Sequence, residues 1–109
     1  MNNNGRGEAF IKWAKAIKER DNYICQVCGK YDVQIHAHHK NSWDIFIEQR
    51  YKYSNGVSLC SFCHNLFHKI FGSGNNTEEQ FIQFKEIAFS IRRYIIDQLQ
   101  NTEAVKKEK

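Results

Sequence analysis

Four cysteines and five histidines, all between Cys25 and His68, restrict what this chain can fold into more than its apolar pattern does. The cysteines form two C-x2-C pairs, Cys25/Cys28 and Cys60/Cys63. A two-residue spacer lets a tight turn bring both sulfurs onto one tetrahedron, about 3.7 Å apart. Gly29 follows the first pair and supplies the backbone angles such a turn needs. The N-terminus, MNNNGRGEAF, lacks a basic stretch followed by an apolar one, so no secretory signal is read and an intracellular, cytoplasmic setting is expected. Thiols stay reduced there, which favours one structural zinc over two disulfides. No apolar run approaches the roughly 20 residues of a membrane span. At 109 residues the chain is read as one domain with a thin core, a size often supplemented by metal. The formal charge of +4 falls by about 2 once four thiolates close on a zinc ion, so charge alone says little about nucleic acid.

The rest of the chain frames that cluster. Residues 1–7 are Asn- and Gly-rich and, with the charged tail 101–109, are read as disordered, leaving a core of about 8–100. Phe10, Trp13, Ala14 and Ile17 fall at helical spacing and predict an N-terminal packing helix from Glu8 to about Arg20, with Lys12, Lys15 and Lys18 off the stripe on a wet face. Residues 33–39 read as a short strand, with Val33 and Ile35 on one face, and Gly56–Cys60 as a strand returning to it. A helix follows from the second cysteine pair to about Phe71, where Gly72 can stop it. Residues 77–80 match a capping box, T-x-x-Q, opening a helix to about Gln100. Phe81, Phe84, Ala88, Ile91, Ile95 and Leu99 form its core stripe. Ile82, Phe89 and Ile96 form a second face, expected to pack on the first helix or the Trp43 loop, with a dimer seam as the sharper reading.

The imidazoles suggest a second metal. His64 and His68 stand at i and i+4 of the predicted helix, so both rings leave one face. His38 and His39 end the first strand, and neighbouring strand residues point to opposite sides. One can join His64 and His68 while the other faces the adjacent space. Three imidazoles leave coordination positions open, as catalytic sites do, whereas four thiolates close theirs. The two cysteine pairs stand further apart than the about 15 to 20 residues of a simple zinc ribbon, and the histidines occupy the insert.

Taken together, His38-His39, then Asn55 in Ser54-Asn55-Gly56-Val57, then His64 nine residues on resemble the HNH endonucleases, whose core is the ββα-metal, or His-Me, finger. The four cysteines, with RDNYICQVCG at 20–29 and AHH at 37–39, resemble the zinc-knuckle subgroup common in bacteriophage and prophage. The resemblance covers about Phe10 to Gln83. It implies a small α+β fold: a ββα-metal finger with a four-cysteine zinc site, an N-terminal helix and a long C-terminal helix. His38, His64 and His68 would then hold one divalent ion, Mn²⁺, Mg²⁺, Ni²⁺, Co²⁺ or Zn²⁺. His39 would be the general base and Asn55 the brace of the loop that carries it. The implied activity is hydrolysis of DNA phosphodiesters, leaving 5′ phosphate and 3′ hydroxyl. Imidazole ligands favour the transition metals over Mg²⁺ in binding.

Basic residues flanking this segment, Lys40, Arg50, Lys52 and Lys69, are the expected contacts to double-stranded DNA. His36 lies two residues before His38, on the same side of the strand, and is read as a supporting or surface residue. Partners beyond DNA would be a second copy of the chain or a phage packaging protein. The competing readings are a non-catalytic zinc-binding nucleic-acid module and a purely structural zinc protein.

Overall fold

The first cysteine pair sits on a turn, and the second begins a helix. That placement follows from the order of elements in the computed structural model, which describes residues 6–107, with side chains to Gln100. Helix α1 spans Gly7–Arg20, strand β1 Ile35–His39, strand β2 Gly56–Cys60, helix α2 Ser61–Phe71 and helix α3 Glu78–Lys107. Two 3₁₀ turns, Ile47–Gln49 and Tyr53–Asn55, punctuate the long connection between the strands. The described residues form a small α+β fold of three helices and a two-stranded antiparallel sheet.

The strands pair with Ile35 opposite Cys60 and His39 opposite Gly56, so the histidine end of β1 lies beside the start of β2. Strand β1 is shorter than the sequence suggested. Asp32 has φ 61°, and Val33 stays 46% exposed, because the turn after the first cysteine pair ends only there. Gly56 lets α1 lie directly on the sheet: a Cβ there would stand 2.6 Å from the Trp13 ring. At the end of α1, Arg20 donates to the Tyr53 and Gly56 carbonyls at 2.8 and 2.9 Å, and Asp21 accepts from the Ser58 amide at 3.0 Å. Trp13, Ile17, Leu59, Phe67, Phe81 and Phe84 are the large buried side chains.

Two expectations change. The capping box forms as read, with the Gln80 amide donating to Thr77 Oγ1 and the Thr77 amide donating to Gln80 Oε1, each at 3.2 Å. The helix it opens does not stop near Gln100 but runs to Lys107, since no Gly or Pro interrupts residues 101–107. The disorder expected over 101–107 is therefore corrected, as it is for Gly7, which opens α1; residues 1–5 and 108–109 lie outside the described residues. The predicted core stripe of α3 is buried only at Phe81 and Phe84; Ile91, Ile95 and Leu99 are half exposed or more. Ile82, Phe89 and Ile96 are also exposed, so the second face is not the buried packing face expected of it. The small core ends before the helix does, and the molecule measures 60 × 26 × 22 Å. Among the described residues, no helix is long and apolar enough to cross a membrane.

Candidate metal centres and active-site cleft

The thiols converge first. Cys25, Cys28, Cys60 and Cys63 bring their sulfurs within 4.8 Å of one another, and none is in a disulfide. Cys28 and Cys60, from different pairs, have sulfurs 3.7 Å apart, the separation two ligands of one tetrahedral zinc require. Each pair donates an amide to its own sulfur: Cys28 N to Cys25 Sγ and Cys63 N to Cys60 Sγ, both at 3.5 Å. Burial opposes ionisation of Cys25, but amides of Cys28, Cys60 and Val27 outweigh it and bring the thiol down to about 7. Burial and the Cys25 charge then push Cys63 strongly upward. Four thiols crowded so tightly ionise together only with a cation among them, and the donor set fits zinc.

The imidazoles form a second cluster. His38, His64 and His68 also bring ligand nitrogens within 4.8 Å of one another. His38 is 4% exposed, and its Nε2 is buried with no hydrogen-bond partner. An orphaned imidazole nitrogen between two others is what a metal ligand looks like without its ion. His68 donates its Nδ1 hydrogen to the Gly72 carbonyl at 2.9 Å, which leaves Nε2 free to ligate. Burial, with neighbouring imidazoles, pushes His38 down to about 3 and His64 down to about 4. Both are neutral at physiological pH, as ligands must be. His36 stays outside the trio: its Nε2 meets Ser61 Oγ at 2.9 Å, and its ring stacks on His64 with centroids 5.0 Å apart.

His39, the next residue along β1, leaves the strand toward α1. Its Nε2 donates to the Arg50 carbonyl at 2.8 Å, so Nδ1 is the nitrogen left with a lone pair. The ring lies flat on Trp13, centroids 3.9 Å apart at 15°. Burial lowers its pKa, and the Arg6 and Arg50 charges lower it further, against the contrary pull of the Arg50 hydrogen bond.

Asn55 holds the two ends of that arrangement together. It is 2% exposed; Oδ1 accepts from the Asn41 amide at 2.8 Å, and Nδ2 donates to the Asn41 and Gln49 carbonyls at 2.9 and 3.2 Å. Asn41 lies two residues after His39, and Gln49 precedes the residue whose carbonyl His39 holds. One cleft of about 460 Å³ is lined by His38, His39, His64 and His68, with Ser42, Trp43 and Asn76 at its edge.

The sequence model of the HNH endonuclease family matches residues 25–69. This segment belongs to the HNH endonuclease family. The match runs from Cys25 to the residue after His68, and the four-cysteine cluster supports the zinc-knuckle subgroup. No curated protein and no solved structure matches the chain.

The basic residues expected at DNA meet varied surroundings. Lys40 is held 3.4 Å from Glu78. Arg50 lies over the Trp43 ring at 4.3 Å and donates Nε to the Trp43 carbonyl at 2.8 Å, so it shapes the loop that positions His39. Lys52 and Lys69 are exposed. Spacing could not reveal Trp13 as the plate under His39, nor Arg20 and Asp21 as the ties of α1, because each partner is distant in sequence.

Proposed function

We propose that this domain is a metal-dependent DNA endonuclease that uses a single divalent ion. The observation that carries this reading is the pairing, in one cleft, of an orphaned three-imidazole cluster with a fourth imidazole whose Nε2 is fixed on a backbone carbonyl. His38, His64 and His68 would hold the divalent ion, which would supply Lewis-acid stabilisation of a phosphate and its leaving oxygen. His39 takes a proton from the attacking water at Nδ1. The Arg50 carbonyl stabilises the cation so formed and keeps the ring from rotating. Trp13 fixes the ring plane, and Asn55 fixes the loop that supplies the carbonyl. Attack of water on phosphorus with departure of the 3′ oxygen leaves 5′ phosphate and 3′ hydroxyl ends.

Supercoiled plasmid incubated with Mn²⁺, Mg²⁺, Ni²⁺ or Co²⁺ tests this reading. Wild type is expected to nick or linearise it with at least one ion, and His39→Ala to lose about 10²- to 10⁴-fold in rate. An inert wild type with every ion, or an unimpaired His39→Ala, contradicts it.

A further inference from the structure

The cleft has a wall that lies outside the family segment. Arg6, which caps α1, lines it together with Phe10, Ala14 and Lys18 from successive turns of that helix. They face the histidines across the space. The helix runs opposite to β1: Arg6 acts electrostatically on His39 at the end of the strand, and Lys18 on His36 near its start. One cation therefore stands at each end of the cleft, with the metal-binding imidazoles between them.

Arg6 is held there without an ion pair among the described residues; the Asp44 carboxylate acts on it only through space. Its guanidinium lies over the Trp43 ring at 4.4 Å and the Phe10 ring at 5.0 Å. Aromatic faces orient a guanidinium while leaving its N–H groups free for an anion. Lys18 is partly buried and also has no ion pair among the described residues. By contrast, Lys15 on the outer face is 69% exposed and pairs with Glu19. Arg6 caps α1, and the eleven helical steps from Gly7 to Lys18 rise about 16 Å, or roughly five base-pair rises of about 3.4 Å along a duplex axis. Both cations can then reach phosphates flanking a scissile one at the centre.

We propose that α1 is the second jaw of the DNA cleft, with Arg6 and Lys18 holding backbone phosphates on either side of the scissile phosphate. This rests on the endonuclease reading above. Backbone contacts position a strand without reading its sequence, so the jaw grips any sequence alike.

The test measures binding of a fluorescent DNA duplex by anisotropy across a salt series, in a His39→Ala background that leaves the DNA intact. The double substitution Arg6→Gln with Lys18→Gln is expected to weaken binding at least tenfold. It should also flatten the salt dependence by about two phosphate contacts, at a log–log slope of about 0.9 each. Arg6→Lys with Lys18→Arg should restore the slope. Lys12→Gln with Lys15→Gln, on the outer face, should leave affinity within about twofold. If the inner and outer double variants bind alike while the parent protein binds DNA, the jaw is refuted and the endonuclease reading stands. If the parent protein binds no DNA, both fall.

Discussion

The two ligand clusters share helix α2 and differ in almost every physical respect. The sulfur cluster is drawn from a turn, a strand end and a helix start, so it joins three pieces of chain, and three of its four cysteines are buried. The nitrogen cluster uses one strand residue and one helix face and opens on a cleft. Closure suits a clamp, and openness suits a reaction. Cys63 and His64 are neighbours on α2, so the clamp sets the pitch of the helix that presents two of the three imidazoles.

The largest effect that could break this division is on folding. Cys25→Ser or Cys60→Ser should leave the domain unfolded, since zinc-coupled folding contributes on the order of 10 kcal/mol. His64→Ala with His68→Ala should melt close to wild type by circular dichroism. Equal melting of the cysteine and histidine variants would erase the distinction.

The loss of rate expected for His39→Ala comes next in size, and it should occur with folding and divalent-ion binding intact, measured by calorimetry. A smaller effect should follow Asn55→Ala, which strands the Asn41 and Gln49 backbone groups and should cost about 2 to 3 kcal/mol of stability. Its kcat should fall more than its KM rises, because the loop that holds His39 loosens. An unchanged urea midpoint would show that Asn55 is an ordinary turn residue.

The smallest effect is in pH dependence. The pKa of His39 is lowered, so the acid limb of kcat/KM should lie below the ordinary imidazole value of about 6.5. His38 and His64 are lowered too, so without an ion in that site the unfolded chain binds more protons below about pH 6.5. Stability of that form should therefore decline as pH falls from about 6.5 toward 4, and saturating divalent ion should oppose the decline. A melting temperature that rises on acidification over that range would contradict the assignment of these two as buried, neutral imidazoles.

What the sequence made legible was short-range. The i, i+4 pair of His64 and His68, the two-residue spacers of the cysteines and the reciprocal cap of Thr77 and Gln80 all depend on local geometry fixed within one turn. The alternation that separates His38 from His39 is equally local. The missing parts are long-range. Nothing near His39 indicates that Trp13 will lie under it, or that the Arg50 carbonyl will choose its tautomer. Arg50 reads as a surface cation until Trp43 is seen beneath it. Lys18 reads as part of a wet face until the cleft is seen beside it. In α3 the apolar period correctly signalled a helix but could not show where the core ends, so Ile91, Ile95 and Leu99 were assigned a burial they lack.

One ion holding the fold and a second making the site reactive is the central claim. The most direct measurement is a Mn²⁺ titration of plasmid cleavage by protein purified with one zinc per chain. The one-zinc protein should be folded but inert, and activity should rise to saturation with one further ion per chain. Full activity before any Mn²⁺ is added, or none at any concentration, would contradict it.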